Sequence, residues 1–347
     1  MLDENNSRKK ALSQTERRKL DHIKICLDRK VESEKTNGFD RYKLKGIGQE
    51  IDKDDIDLST EFMGKQFGLP FFIEAMTGGA PGTEKINKNL AKAAQELSIG
   101  MGVGSQRAAI ENPKLAYTYD VRNVAPDILL LGNLGIAQIM KYSIQDIRKS
   151  VEMINADALA IHYNPIQEQA QPEGDSNFNG AVESVRQVCS SVSFPVIIKE
   201  VGFGISEKIA RSFEGAGVSA VDIAGTGGTN WAMVESYRSK SGLTLGMDAG
   251  IATADALLAV RKAIKIPLIA SGGIRTGNDC AKAMAMGADI VGFALPLLRP
   301  AMESWVAVKE KLDFFTTDLK NEMATMGVKN IEELRSLGFV VANHIEK

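Results

Sequence analysis

Seven residues, His162-Tyr163-Asn164-Pro165-Ile166-Gln167-Glu168, concentrate unlike chemistries in one short stretch directly after an apolar run. A lone Glu with few histidines nearby is poor for zinc, but it suits magnesium, which takes one or two carboxylates and completes its shell with phosphate oxygens. Gln167 is a weak acid and a very weak base, so its residue type points to positioning. Lys199 closes another apolar run, Pro195-Val196-Ile197-Ile198. A lysine there can form a Schiff base or stay protonated and stabilise negative charge on a ligand. A structural ion pair with Glu200 or another acid is the plain alternative. Glycine-rich turns, Gly225-Thr226-Gly227-Gly228-Thr229 and Ser271-Gly272-Gly273-Ile274-Arg275-Thr276-Gly277, suit a phosphate: backbone N–H groups approach closely and Arg275 adds a charge-assisted bond. Arg17-Arg18-Lys19-Leu20-Asp21-His22 is a charge run that reads as a solvated helix face or, folded over the site, as a clamp for phosphate oxygens.

These groups need a scaffold that brings the ends of many apolar runs to one place. Such runs recur at Phe71–Met76, Ser98–Val103, Asp127–Asn133, Ala158–Asn164, Pro195–Val201, Ala220–Gly225, Pro267–Gly273 and Asp289–Leu295. Several are continuously apolar, which suits parallel strands covered on both faces. Segments with helical spacing separate most of them, among them Thr83–Leu97, Asn179–Val192, Ser206–Glu214, Thr253–Ile264 and Gly277–Met286. Eight βα units at a pitch of roughly 22 to 36 residues, with one longer interval, predict an α/β fold, a (β/α)8 TIM barrel. A doubly wound sheet is disfavoured, because GMGVGS at 100–105 has glycines without the context of a dinucleotide fingerprint. Residues 1–70 read as an N-terminal extension with a helix around Gln14–Asp28, contributing to the mouth. Residues 71–347 read as the barrel with C-terminal helices, one structural domain overall.

Composition narrows the functional classes. Lys+Arg 42 against Asp+Glu 44 gives a net charge of -2, which offers no electrostatic reason to expect nucleic acid. No run approaches the roughly 18 apolar residues that span a bilayer. The N-terminal segment lacks the marks of a signal or transit peptide, so the expected address is the cytoplasm. Cys26, Cys189 and Cys280 are odd in number and far apart, giving neither a disulfide framework nor a CxxC spacing.

In order and placement these motifs resemble those of the FMN-dependent type II isopentenyl-diphosphate Δ-isomerases. The resemblance runs from R-K-x-x-H at Arg18, Lys19 and His22 through AMTGG, GSQR, H-x-N-x-x-Q-E, GTGGT and GGIRTG to Ala294-Leu295. It implies interconversion of isopentenyl and dimethylallyl diphosphate with reduced FMN and Mg²⁺, NAD(P)H as flavin reductant, and a homo-oligomer, tetramer or octamer. Carried over by position, Ala75, Met76, Thr77, Ser105, Asn133, Lys199, Thr229, Gly273, Ile274, Arg275, Ala294 and Leu295 would hold FMN. Arg18, Lys19 and Gln167 would contact substrate, with His22, Arg107, His162 and Asn164 as helpers, and Glu168 would bind Mg²⁺. Gln167 and Lys199 would be catalytic. Moving a double bond needs a proton added at one carbon and another removed elsewhere, without net redox change. A reduced flavin supplies titratable nitrogens that these side chains do not, and Lys199 would favour an anionic ring. The alternatives are an FMN-barrel oxidoreductase and a non-catalytic flavin- or isoprenoid-phosphate-binding regulator.

Overall fold

The computed structural model describes residues 12–46, 51–239 and 248–342. Eight parallel strands close into a barrel in sequence order: β1 (Phe71–Ile73), β2 (Gly100–Gly102), β3 (Leu130–Gly135), β4 (Ala158–His162), β5 (Val196–Lys199), β6 (Ala220–Asp222), β7 (Leu268–Ala270) and β8 (Ile290–Phe293). Each falls inside or against one of the apolar runs, but most are shorter. β1 stops at Ile73 because Glu74–Gly79 turns across the barrel mouth, where glycines at 78 and 79 take positive φ. The strand residues are almost wholly buried, as expected of a parallel sheet with helices outside and packed side chains within.

The elements that shape the site are α1 (Gln14–Asp28), α2 (Thr83–Glu96), α3 (Pro165–Ala170), α4 (Trp231–Ser239), α5 (Thr253–Ala263), α6 (Gly277–Ala285), α7 (Leu295–Glu303) and α8 (Trp305–Met326). Ser13 and Glu16 cap α1 reciprocally, so this helix starts where its sequence says it should. α8 buries Val308, Leu312, Phe315, Leu319 and Met323, a helical stripe that packs on α2 and α6. Phe315 stacks on Phe293 of β8 at 4.5 Å, and Phe293 meets Phe71 of β1 edge-on at 5.2 Å. The barrel seam is thereby keyed to the C-terminal helix.

Residues before β1 work at both ends of the barrel. A hairpin, Thr60–Phe62 with Lys65–Phe67, buries Phe62 and Phe67, and Lys65 reaches Asp157 and the Ile128 carbonyl ahead of β4 and β3. This seals the N-terminal end. At the other end an extended segment runs beside the loop after β6, with Ser33 N–H donating to the Gly228 carbonyl and Asn230 N–H to that of Val31. Asn37 Nδ2 then donates to the Gly273 carbonyl after β7, at 2.8 Å. Tyr42–Leu44 pairs antiparallel with Phe339–Val341, joining the segment before β1 to the C-terminal end of the described chain. Among the described residues no helix is long and apolar enough to cross a membrane.

Candidate active site

The C-terminal ends of the strands open into a cleft continuous with solvent, and α1 lies across it. Every residue named above for FMN, substrate or metal lines this cleft, from Arg18 on α1 to Leu295 on α7. Arg17, in the same charge run, is exposed. The run is therefore split by helical periodicity: one face is solvated, and Arg18, Lys19, His22, Ile23 and Cys26 turn inward.

Lys199 forms part of the floor. Its Nζ lies 3.1 Å from Asp222 Oδ2 and 3.5 Å from Glu74 Oε2, and donates to the Glu200 carbonyl at 2.6 Å. Burial alone would lower its pKa, but Asp222 and Glu74 outweigh it and hold the amine well above its ordinary value. Of the roles open at Lys199, this geometry favours the fixed ammonium over a neutral nucleophile. Glu200 points the other way and accepts N–H bonds from Val201, Gly202, Phe203 and Gly204 with one oxygen, stapling the loop that carries the floor. Burial pushes the Glu200 carboxyl up to about 7, against the pull of those donors and of Lys199.

The wall is set by a chain of buried amides. Gln106 accepts from Asn133 N–H at 2.8 Å and donates to the Ser150 carbonyl at 2.6 Å, and Asn133 Oδ1 lies 2.7 Å from His162 Nδ1. The amide oxygen requires the proton on Nδ1, which leaves Nε2 an acceptor. Burial, then the charges of Lys199, Lys19 and Arg18, lower the His162 pKa to about 3, so the ring is neutral. Pro165 starts α3 immediately beyond β4, which puts Gln167 and Glu168 in its first turn. Asn164 Nδ2 donates to Gln167 Oε1 at 3.0 Å and Glu168 Oε1 at 3.3 Å, while Glu168 Oε2 accepts from Asp175 N–H at 2.9 Å. The Gln167 oxygen is thereby anchored.

α1 is latched by a buried hydrogen bond and by ion pairs. His22 Nε2 meets Glu235 Oε1 of α4 at 2.8 Å and the Trp231 ring edge-on at 5.1 Å. Arg18 pairs with Glu173 at 3.5 Å, and Arg238 joins Glu173 to Glu235 at 2.7 and 2.6 Å. Burial works against an ionised Glu235, but His22 and Arg238 hold it below its ordinary value. Lys19 Nζ donates to the Ser105 carbonyl, which also accepts from the Tyr119 hydroxyl at 2.6 Å. Burial, with Arg18 and Arg107 close by, lowers the Lys19 pKa to about 7. A cleft that discourages its own cations in this way is short of an anion.

The opposite end is a backbone cradle. Gly273 has φ +73°, and a Cβ there would clash with the Gly227 carbonyl, so the two glycine-rich loops lie backbone to backbone. α7 begins at the cleft with Ala294 as N-cap and no side-chain cap; Pro296 has no N–H and Leu297 N–H donates to the Ala294 carbonyl, so Leu295 N–H is the first-turn donor left to an anion. Thr77 Oγ1 and Asn164 Oδ1 are buried without hydrogen-bond partners. A phosphate cradle, a floor cation and orphaned polar atoms fit a ligand with a phosphate at one end and a polar ring at the other, as FMN has. Arg275, expected to aid that phosphate, also pairs with Glu32, its Nε 3.1 Å from Oε1. For Mg²⁺ the described residues offer no group of three His, Cys, Asp or Glu. Glu168 alone fits only an ion that takes its remaining oxygens from a ligand.

The isopentenyl-diphosphate delta-isomerase of Pyrococcus abyssi is 46% identical to this chain, covering 96% of it and 94% of the relative. The chain belongs to the isopentenyl-diphosphate delta-isomerase family. The Pyrococcus horikoshii and Nostoc sp. members are 47% and 44% identical, covering 95% and 94% of the chain and 93% and 96% of their own lengths. A family model described as FMN-dependent dehydrogenase matches residues 134–340 of this family member. Among solved structures, a lactate oxidase of Pediococcus acidilactici superimposes with a TM-score of 0.66 at 17% identity, over 93% of the chain and 87% of its own. A flavocytochrome b2 mutant with pyruvate bound gives 0.67 at 18%, over 92% and 82%. Those likenesses establish the barrel.

Sequence reasoning about this isomerase-family chain did not single out Glu74, Asp222, Glu173, Glu235 or Tyr119. Glu74 and Asp222 did leave a signal: one acid each inside the apolar runs FFIEAM and AVDIAG, where an unpaired charge would be costly. The latch left none: Glu173 lies in a polar loop after α3, and nothing in the sequence tells which residue Glu235 of α4 would meet.

Proposed function

We propose that this chain interconverts isopentenyl and dimethylallyl diphosphate in isoprenoid biosynthesis, using reduced FMN and Mg²⁺. The observation that carries this reading is the convergence on one cleft of Arg18, Lys19, His22, Arg107, His162, Asn164, Gln167, Glu168 and Lys199 in a member of the isomerase family. FMN would lie against Ala75, Met76, Thr77, Ser105, Asn133 and Lys199, with its phosphate end toward Thr229, Gly273, Ile274, Arg275, Ala294 and Leu295. Reduced FMN supplies a ring that gives and accepts protons, which these side chains do not.

The chain's own residues then have distinct tasks. Arg18, Lys19 and Arg107 bind the diphosphate, and Glu168 holds the Mg²⁺ that neutralises its remaining charge. α1 closes the cleft and excludes water from the alkene. His162, neutral and fixed by Asn133, accepts a hydrogen bond without adding another cation. Gln167 orients the allylic end, its oxygen anchored by Asn164. Lys199 keeps a fixed positive charge on the cleft floor, which would favour an anionic form of a reduced flavin bound there. NAD(P)H would supply the electrons that keep the flavin reduced. On the same reading the enzyme is a cytoplasmic homo-oligomer, a tetramer or octamer, and Met302, Val306 and Phe314 supply exposed apolar surface on α7 and α8 for contacts between copies.

The test is anaerobic proton NMR in deuterium oxide, with isopentenyl diphosphate, Mg²⁺ and oxidised or reduced FMN. Deuterated dimethylallyl diphosphate appearing only with reduced flavin is the expected result. FMN binding without conversion would instead favour an oxidoreductase, in line with the dehydrogenase description of the matching family model. Against that second reading, the described loops after β6, β7 and β8 carry no histidine to serve as a base.

A further inference from the structure

The floor of the cleft holds two carboxyls for one cation. Asp222 ends β6 and is the register partner of Lys199 at the end of β5. Glu74 follows β1 and its backbone N–H extends the ladder to the Phe293 carbonyl. Both acids are buried, at 4% and 1% exposure, and both face Lys199 Nζ, at 3.5 and 3.1 Å. Their surroundings differ. Asp222 Oδ1 accepts from the Ser271 hydroxyl at 2.6 Å and from Ala224 N–H at 3.2 Å. Apart from the Lys199 ammonium, neither oxygen of Glu74 nor the second oxygen of Asp222 has a hydrogen-bond donor, although the two carboxyls are neighbours.

Two carboxylates against one ammonium would leave a buried negative charge and an acceptor facing an acceptor. One proton on Glu74 removes both faults, since it turns an orphaned oxygen into a donor toward Asp222 and brings the three groups to neutrality. Glu74 has little freedom to turn away, because it lies over Gly292 of β8, where an added Cβ would clash with Oε1. Burial and the Asp222 charge push the Glu74 carboxyl well above its ordinary range. The other titratable groups facing this cluster are Glu200, through Lys199, and the neutral ring of His162.

We propose that Glu74 and Asp222 hold one proton between them and are positioning residues for Lys199, either carboxyl sufficing as its counter-ion. This rests on reading Lys199 as the ammonium beneath a flavin ring. The shared proton makes the counter-charge redundant: an amide at either position leaves the other carboxyl ionised, and Lys199 keeps both its charge and its seat. Reaction at the cleft and Lys199 are thus buffered against the loss of one acid.

Infrared difference spectra of the full chain at pH 7, without flavin, test the proton directly. The wild type should show the C=O stretch of a protonated, buried carboxyl, and Glu74→Gln and Asp222→Asn should each lose it. Glu200 remains in all three proteins and cancels in the differences. A wild type without that band, or a band that survives either substitution, would overturn the proposal; the isosteric pair allows one variant to decide if the other does not fold. The positioning role is read from the midpoint potential of bound FMN. It should be unchanged in both amide variants and lowered in Lys199→Met, whereas an amide variant that falls as far as Lys199→Met would overturn it. If the wild type binds no FMN, the flavin reading and the positioning role fall together, while the infrared result still decides the shared proton.

Discussion

His22 on α1 and Glu235 on α4 meet at 2.8 Å although 213 residues separate them in sequence. This contact fastens the cover of the cleft to the barrel. Replacing Glu235 by Ala leaves His22 and Arg238 without their shared acceptor, with an expected loss of about 1–3 kcal/mol in stability. Thermal unfolding checks the loss, and limited proteolysis should cut α1 faster than in the wild type.

Lys19 predicts how anion binding varies with pH. Its pKa of about 7, lowered first by burial and then by Arg18 and Arg107, will rise when an anion enters. Inorganic pyrophosphate should therefore take up protons on binding above pH 7, with affinity falling by up to about tenfold per pH unit. Calorimetry in buffers of different ionisation enthalpy measures the uptake, which Lys19→Met should abolish. The sign for folding is opposite: the unfolded lysine binds its proton more tightly, so without ligand this group makes the fold gain stability as pH rises from about 7 toward 10.5.

Gln167→Ala should lower turnover by about 100-fold or more while leaving substrate affinity nearly intact, because a positioning group acts on orientation. Steady-state kinetics separates the two effects. Full turnover would remove Gln167 from its assigned role.

Glu168→Gln should sharply raise the Mg²⁺ concentration needed for half-maximal activity, because it removes the one charged ligand. A metal titration at fixed substrate decides it, and an unchanged requirement would remove Glu168 as the ligand.

Gly273→Ala forces a side chain into φ +73° and against the Gly227 carbonyl. The strain is about 1–3 kcal/mol, so FMN affinity should fall by about 5- to 150-fold. Quenching of flavin fluorescence on titration reads the change directly.

The barrel was legible because its strands are continuously apolar and its turns are glycine-rich. Leu268–Ala270 could hardly be anything else between the helical segments Thr253–Ala263 and Gly277–Ala285. The strand ends were less so: the run expected to reach Met76 breaks off at Ile73, because backbone direction at a mouth is set by tertiary packing. The cleft was legible as motifs, and Asn164 and Gln167 do meet as their spacing on a short helix allows. What the motifs hid was partnership. Lys199 could be seen at the end of its strand, but its pairing with Asp222 depends on the register of β5 against β6, and that with Glu74 on closure of the barrel. Helical periodicity alone could not choose which face of α1 was solvated, since Arg17 and Arg18 are chemically alike and only the docked helix tells them apart.

The hydrogen bond from Asn37 to the Gly273 carbonyl ties residues 236 positions apart. During synthesis the first forty residues leave the ribosome long before their partners after β6 and β7 exist, so they have nothing to fold against. The cofactor cradle is completed only when the last quarter of the chain has emerged, and loop closure over such distances is slow. Flavin loading is therefore a late event in the life of each molecule, and a chain truncated within its last βα units would lack the cradle while α1 kept its partners Ser105, Glu173 and Glu235.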